Sequence, residues 1–189
     1  MEKEPIAVDH SQIHTTYLYI FGTAGICLAG YIFMTIRYIL NTGTLPWMDL
    51  ITEAIILLAL LALAMTRTTY ELGRKDITVT SASLFRTRVL KIPYKVIDGV
   101  HYFKVEPIKS IAYKHTYRMY GNLDKRDIYA MVYNIPHTDH VSRILMKASP
   151  EFWDAFAALL PGRIRIPQEE VLRSAFRHIS GADQKQEEK

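Results

Sequence analysis

The sequence predicts an α+β membrane protein, in which a two-helix transmembrane hairpin precedes a seven-stranded antiparallel β-barrel capped by a C-terminal helix. Three observations lead to this prediction. Two apolar runs of membrane-spanning length lie within the first 66 residues. Short runs that alternate between apolar and polar residues follow them, and a helical period appears only after Pro150.

The two apolar runs cover residues 17–40 and 47–66. From Tyr17 to Ile36 the chain has 20 residues without a charge, and a helix of that length covers the roughly 30 Å of a hydrocarbon core. The connection, residues 41–46, is short and contains a glycine and a proline. We therefore expect an antiparallel hairpin whose two ends lie on the same side of a membrane.

The distribution of basic residues predicts the orientation of the hairpin. The connection between the runs contains no Lys or Arg, whereas Arg67, Arg74 and Lys75 follow the second run. The positive-inside rule then places both termini in the cytoplasm, and we expect a bacterial inner-membrane protein with several passes. Residues 1–16 carry four acidic or basic side chains and do not resemble a signal peptide. They are predicted to be an N-terminal cytoplasmic tail.

Three ionisable residues form a predicted intramembrane polar cluster: Arg37, Asp49 and Glu53. The two acids are four residues apart and share a helix face, at the membrane depth of Arg37 in the antiparallel hairpin. Such residues inside spans are costly and often functional, which allows an ion pair or an ion path. The alternative is that all three extend to the nearby interface and help to hold the hairpin together.

The alternating pattern predicts a β domain over residues 68–161. Its seven strand-like runs are 68–72, 76–81, 85–92, 96–105, 111–120, 128–135 and 143–148. After Pro150 the segment EFWDAFAALL places its large apolar side chains on one helix face, which must be buried on the sheet.

The last segment, residues 162–189, is predicted to contain an amphipathic helix and a disordered tail. Residues 168–179 have an apolar helix face that is expected to dock either on the domain or on the membrane surface. The final sequence GADQKQEEK has no apolar residue beyond Ala182 and cannot bury a core.

Two stretches of this domain resemble the bacterial pleckstrin-homology-like (bPH) membrane proteins: TYELGRKDITVTSASLFRTRVLKIPYKVIDGV and RILMKASPEFWDAFAALL. The resemblance covers roughly residues 68–161, and a preceding hairpin is usual in that family. Residues 104–127 depart from the pattern, because they are rich in Lys, Arg and Tyr. The resemblance implies a PH-like barrel that serves as a scaffold and binds a lipid or a protein.

The β domain is basic, with 21 Lys or Arg against 14 Asp or Glu from residue 67 onward. Basic residues close to an anionic leaflet each gain about 1 kcal/mol. We therefore take four side chains as candidates for contact with anionic headgroups or with a partner: Arg86, Arg88, Lys91 and Lys95. The alternative is an ordinary solvated surface.

The sequence favours binding over catalysis. It contains no nucleophile elbow, P-loop, dinucleotide fingerprint or zinc-protease motif, so we expect no enzymatic activity, no cofactor and no metal. A basic surface that carries aromatic residues can bind nucleic acid. Nucleic acid is not an expected partner here, since aromatic residues alternate in strands for packing reasons alone. The expected function is a membrane-anchored, non-enzymatic binding or scaffold module. The alternative is an accessory subunit, or a homo-oligomer, whose contacts use a small-residue helix face: Gly22, Gly25 and Ala29.

Overall fold

The computed structural model describes residues 5–104, 113–135, 138 and 140–175. Two long helices come first, α1 (Thr15–Thr42) and α2 (Trp47–Ala64). Both are long and apolar enough to cross a membrane, and only 11% and 6% of their most apolar windows are buried inside the protein. Helices that belong to a soluble core would be largely covered by the rest of the chain. The low burial agrees with the predicted hairpin.

A left-handed residue ends α1 and begins the connection. Gly43 has φ 68° and its N–H donates to the carbonyl of Ile39. This conformation favours glycine because a Cβ would clash with the following carbonyl. The helix bounds differ from the prediction by two residues at each end of α1 and at the end of α2.

The described residues contain eight strands, arranged in two four-stranded sheets. Their bounds are β1 (Ala7–His10), β2 (Arg67–Leu72), β3 (Asp76–Ala82), β4 (Thr87–Pro93), β5 (Ile97–Tyr102), β6 (Thr116–Arg118), β7 (Tyr129–Asn134) and β8 (Val141–Met146). Sheet A has the order β1-β2-β3-β4 and sheet B the order β5-β7-β8-β6. A short 3-10 helix, Tyr94–Val96, connects them.

Three features of the predicted barrel are corrected by this arrangement. The two sheets do not close into a barrel. The number of strands in the described residues is eight, because the predicted N-terminal tail contributes β1. The fold is not wholly antiparallel, since β6 pairs in parallel with β8, with Thr116 opposite Arg143.

The core lies between the two sheets and the helix α3 (Pro150–Leu159). Burial alternates along β2 and β3, as half-buried strands require, while β7 is buried over its four central residues. Ser149 caps α3 by accepting from the N–H of Phe152. The largest fully buried side chains include Tyr70, Leu72 and Ile77 of sheet A, Ile97, Met131 and Ile144 of sheet B, and Trp153 and Phe156 of α3.

The segment after α3 covers sheet B. Residues 163–166 bond to the outer edge of β5, where the N–H of Val100 donates to the carbonyl of Arg163 at 2.8 Å. Residues 168–175 are helical, and Val171 and Ala175 pack on Val132 and Val141. The amphipathic helix therefore docks on the domain. Residues 176–189, which include the predicted disordered tail, lie outside the described residues.

Candidate functional site

The two long helices are inserted between the first two strands of sheet A. Strand β1 precedes α1 and pairs antiparallel with β2, which follows α2, so that His10 lies opposite Thr69. The N–H of Ser11 donates to the carbonyl of Thr68 at 2.7 Å, and the N–H of Thr68 donates to the Ser11 hydroxyl. Both helices thus leave the domain from neighbouring strands and from the same end of one sheet. We call this junction, residues 11–14 and 65–66, the hairpin root.

A buried ionic network fastens the hairpin root to the rest of the domain. The Arg126 guanidinium contacts Asp9 Oδ2 at 2.8 Å and Asp124 Oδ2 at 2.7 Å, and it also donates to the carbonyl of His10. The side chains of Asp9 and Asp124 retain only 10% and 1% of their exposure. Asp9 also accepts from the N–H of Ser149, which caps α3. One cluster therefore connects β1, the turn before β7 and α3.

The charges in this network stabilise one another. Burial by itself opposes ionisation of Asp124, but hydrogen bonds from Arg126 and from the N–H of Gln12 outweigh it, and the pKa of Asp124 lies below its ordinary value. Burial lowers the pKa of Lys147, whose ammonium donates to the carbonyl of Asp124. Burial also raises the pKa of the Tyr70 hydroxyl, which donates to the carbonyl of Met119.

The register of sheet A places one further segment at the level of the hairpin root. Arg67 lies opposite Ala82, and Ala82 lies opposite Thr87. Since β3 runs toward the root, the turn 83–86 projects past Arg67 to the level at which α2 ends. Adjacent strands are about 5 Å apart and the turn joins β3 to β4, so it lies about 5 to 10 Å to the side of β2, the strand that follows α2. The end of sheet A that carries both helices and this turn is called the proximal end.

Among the residues that the structure describes, three exposed cations lie at the proximal end. Arg67 begins β2, Arg86 closes the β3–β4 turn, and Lys125 reaches the first turn of α1. The Lys125 ammonium lies 3.4 Å from the Thr16 hydroxyl and 5.7 Å from the centre of the Tyr17 ring. Asp127, also exposed, reduces the positive charge near Lys125.

The four predicted contact residues do not share one surface. They lie along edge strand β4, which extends about 20 Å away from the proximal end. Arg86 is at that end, whereas Lys95 follows β4 in the 3-10 helix at the opposite, distal end. Lys91 is paired with Asp76 at 3.5 Å.

Arg88 has a different position from the other three. Its guanidinium lies 5.4 Å from the centre of the Tyr117 ring, a cation–π distance. Tyr117 belongs to β6, so this contact spans the gap between the edge strands of the two sheets. Arg88 is therefore part of the packing between sheets, and its side chain is half-buried.

The predicted intramembrane cluster does not form among the described residues. Glu53 is buried between the helices, where the Thr35 hydroxyl donates to its Oε1 at 2.5 Å. Arg37 and Asp49 are both exposed, and in the described part of the chain no ion pair joins Arg37 to Asp49 or to Glu53. Asp49 and Glu53, which were predicted to share a helix face, both lie in α2, and the partner of Glu53 is the neutral hydroxyl of Thr35.

The small-residue face of α1 lines a groove between the helices. Gly25 and Ala29 contribute to an open apolar cavity of about 320 Å³, together with Leu57 and Leu61 of α2. A Cβ at Gly22 or Gly25 would meet nothing within 4 Å. The glycines are thus not required for contact between α1 and α2.

Sequence reasoning missed the ionic network and strand β1. The signals for both were weak, because Asp9 and Arg126 are separated by most of the chain and AVDH is only four residues long.

No family model matches the chain, and no curated protein or solved structure matches it either.

Proposed function

We propose that this chain is a membrane-anchored, non-enzymatic binding module, whose hairpin crosses a bacterial cytoplasmic membrane and holds the basic proximal end of a PH-like domain against anionic headgroups. The observation that carries the proposal is the insertion of α1 and α2 between β1 and β2. A hairpin that leaves and re-enters the same sheet keeps both connections on one side of the bilayer. The domain is then held at the surface without a flexible linker.

The PH-like assignment is supported by the order of the elements. Two β-sheets enclose one core and a single helix, α3, packs on it after the last strand. The hairpin insertion, the parallel β6–β8 pair and the additional helix at 168–175 are elaborations of this plan.

The cytoplasmic orientation is supported by the distribution of charge about the helices. Arg67 and Lys125 lie at the domain end of the hairpin, while the connection at the other end, residues 41–46, has no Lys or Arg. Under the positive-inside rule the domain faces the cytoplasm, where the leaflet is rich in anionic lipid. Arg67, Arg86 and Lys125 are the residues that meet the headgroups. Of the predicted contact residues Arg86 keeps this role, whereas Lys91 and Lys95 lie farther from the proximal end.

The test is the enrichment of anionic lipid around the full-length protein in liposomes. A donor dye is attached at Asn122→Cys, in a chain that also carries Cys27→Ser, and energy transfer to a trace fluorescent anionic lipid is measured. Arg86→Glu with Lys125→Glu should reduce the transfer, because each basic residue near the surface contributes about 1 kcal/mol. Higher salt should reduce it as well.

The matched control makes the same charge change at the distal end. Lys75→Glu with Lys95→Glu alters two exposed lysines beyond the far ends of β3 and β4, and the transfer should stay near that of the unchanged protein. An equal decrease in both double variants would show that net charge alone attracts the lipid. No decrease in either would contradict the proposal.

A second candidate function is an accessory subunit that binds a partner through the hairpin. The observation in its favour is the open apolar groove between α1 and α2, at the floor of which Gly25 and Ala29 allow close approach of a helix. Gly25→Leu should then abolish co-purification of a partner or of a second copy in mild detergent. Unchanged co-purification would exclude this groove as the contact.

A further inference from the structure

The turn between β3 and β4 presents an aromatic side chain that the domain does not cover. Phe85 is 78% exposed, more than any other large apolar residue of the described β domain. Its neighbours are the exposed cation Arg86 and the half-buried Leu84. An exposed phenylalanine beside an arginine combines an apolar group with a headgroup ligand.

The turn is held in a defined conformation. The backbone N–H and the hydroxyl of Ser83 both donate to the carbonyl of Arg86, each at 2.9 Å. The two strands on either side are paired without interruption from Ala82–Thr87 to Asp76–Pro93. Phe85 therefore has a fixed position relative to the strands of sheet A, and its exposure is not the result of a loose loop.

The register of β2, β3 and β4 gives the position of Phe85 relative to the end of α2. The turn projects beyond Arg67 toward the level of Met65, the residue that caps the end of α2, and lies one to two strands to the side of β2. Ile13 and Met65, at the hairpin root, are also half exposed. Ile13, Met65 and Phe85 therefore all lie on chain connections at the proximal end, in the order of the strands β1 to β4.

We propose that Phe85 inserts into the interfacial layer of the same bilayer that the hairpin crosses, so that the β3–β4 turn is a third membrane contact of the domain. Aromatic side chains favour this layer, and Arg86 then lies among the headgroups. This inference rests on the proposed insertion of the hairpin. It adds an apolar contact that fixes the tilt of sheet A and needs no anionic lipid.

The test uses a fluorescent reporter attached at Thr87→Cys in the full-length chain with Cys27→Ser, reconstituted into nanodiscs of neutral lipid. Thr87 is exposed and lies two residues after Phe85 and two before Val89, which is itself 60% exposed. Quenching by lipids that carry a quencher near the headgroup is compared with quenching by aqueous iodide. With Phe85 present, the lipid quencher should dominate.

Phe85→Asp should abolish lipid quenching of this reporter, whereas Val89→Asp, which introduces the same charge at the same sequence separation from the reporter, should preserve it. A reporter at Leu57→Cys, near the middle of α2, supplies the second readout and is tested with lipids that carry the quencher on the acyl chain. Lipid quenching at residue 57 without any at residue 87, or equal effects of the two Asp variants, would overturn the inference while leaving the hairpin inserted. Iodide quenching at residue 57 would overturn the membrane proposal and this inference together.

Discussion

Arg126 joins parts of the chain that lie far apart in sequence. Its guanidinium contacts Asp9 of β1 and Asp124 of the turn before β7, and Asp9 in turn holds the N-terminus of α3. Both acids are nearly inaccessible to water. Removing the arginine would leave two buried carboxylates without their main counter-charge, which costs far more than losing an exposed pair.

Arg126→Ala is expected to lower the free energy of unfolding by about 3 to 5 kcal/mol. The measurement is chemical denaturation in detergent micelles, followed by the fluorescence of Trp153, which is 1% exposed in the core. Lys91→Ala removes an exposed partner of Asp76 and should cost less than about 1 kcal/mol. Equal costs for the two variants would show that the network does not stabilise the domain.

The low pKa of Asp124 predicts a specific loss of stability in acid. Because the folded-state pKa is below the ordinary value of 3.8, the stabilisation is fully present above 3.8 and is lost as the pH falls toward the folded-state value. The melting temperature of the unchanged protein should therefore fall on acidification below 3.8 by more than that of Asp124→Asn. Parallel curves for the two proteins would contradict this assignment.

Strand β1 is the element that makes the hairpin an insertion within the domain. It forms one edge of sheet A and carries Asp9, so a fragment that begins at β2 lacks both an edge strand and part of the ionic network. Ser11 and Thr68 are hydrogen-bonded to each other across the hairpin root. A short linker can therefore replace the two helices without moving the strands.

A chain in which a flexible linker replaces residues 15–65 should fold as a water-soluble domain. The same chain shortened further, to begin at Arg67, should aggregate or be digested rapidly, because the edge of β2 is exposed and Arg126 has lost its partner Asp9. Limited proteolysis of the two purified proteins measures the difference. Equal resistance would show that β1 is dispensable for the domain.

The elements that could be predicted from sequence are those with a local signal. The seven alternating runs each overlap a strand in the described residues, and the two apolar runs are helices, because periodicity and length are visible within a short window. Strand β1 has no such signal, since AVDH becomes a strand only by pairing with β2 across two helices. The parallel pairing of β6 with β8 likewise depends on contacts between residues far apart in the sequence.

The candidate site was only partly predictable for the same reason. Sequence reasoning found the basic character of β4 and singled out Arg86, but the direction of that strand relative to the helices is set by register. Lys95 therefore lies at the distal end, and Arg88 packs on Tyr117. Lys125 was not singled out, because its proximity to α1 depends on the fold of residues 121–126 around the hairpin root.

At the scale of the whole molecule, sheet A stands with one end at the proposed bilayer surface. Along that end lie the start of α1, the end of α2 and the β3–β4 turn, in the order of the strands that carry them. The turn after β2 and the 3-10 helix lie at the other end. With the hairpin and Phe85 inserted as proposed, three neighbouring connections would orient the domain, unlike a domain on a single flexible tether.

Membrane crossing by the hairpin can be tested by determining from which side of the membrane each part of the full-length protein is labelled. In sealed vesicles of defined orientation, with Cys27→Ser as background, an impermeant thiol reagent is applied to Thr44→Cys in the helix connection and to Lys95→Cys in the domain. If the hairpin crosses the membrane, residue 44 is labelled from one side only and residue 95 from the opposite side only. Labelling of both residues from the same side would show that the hairpin does not cross the membrane.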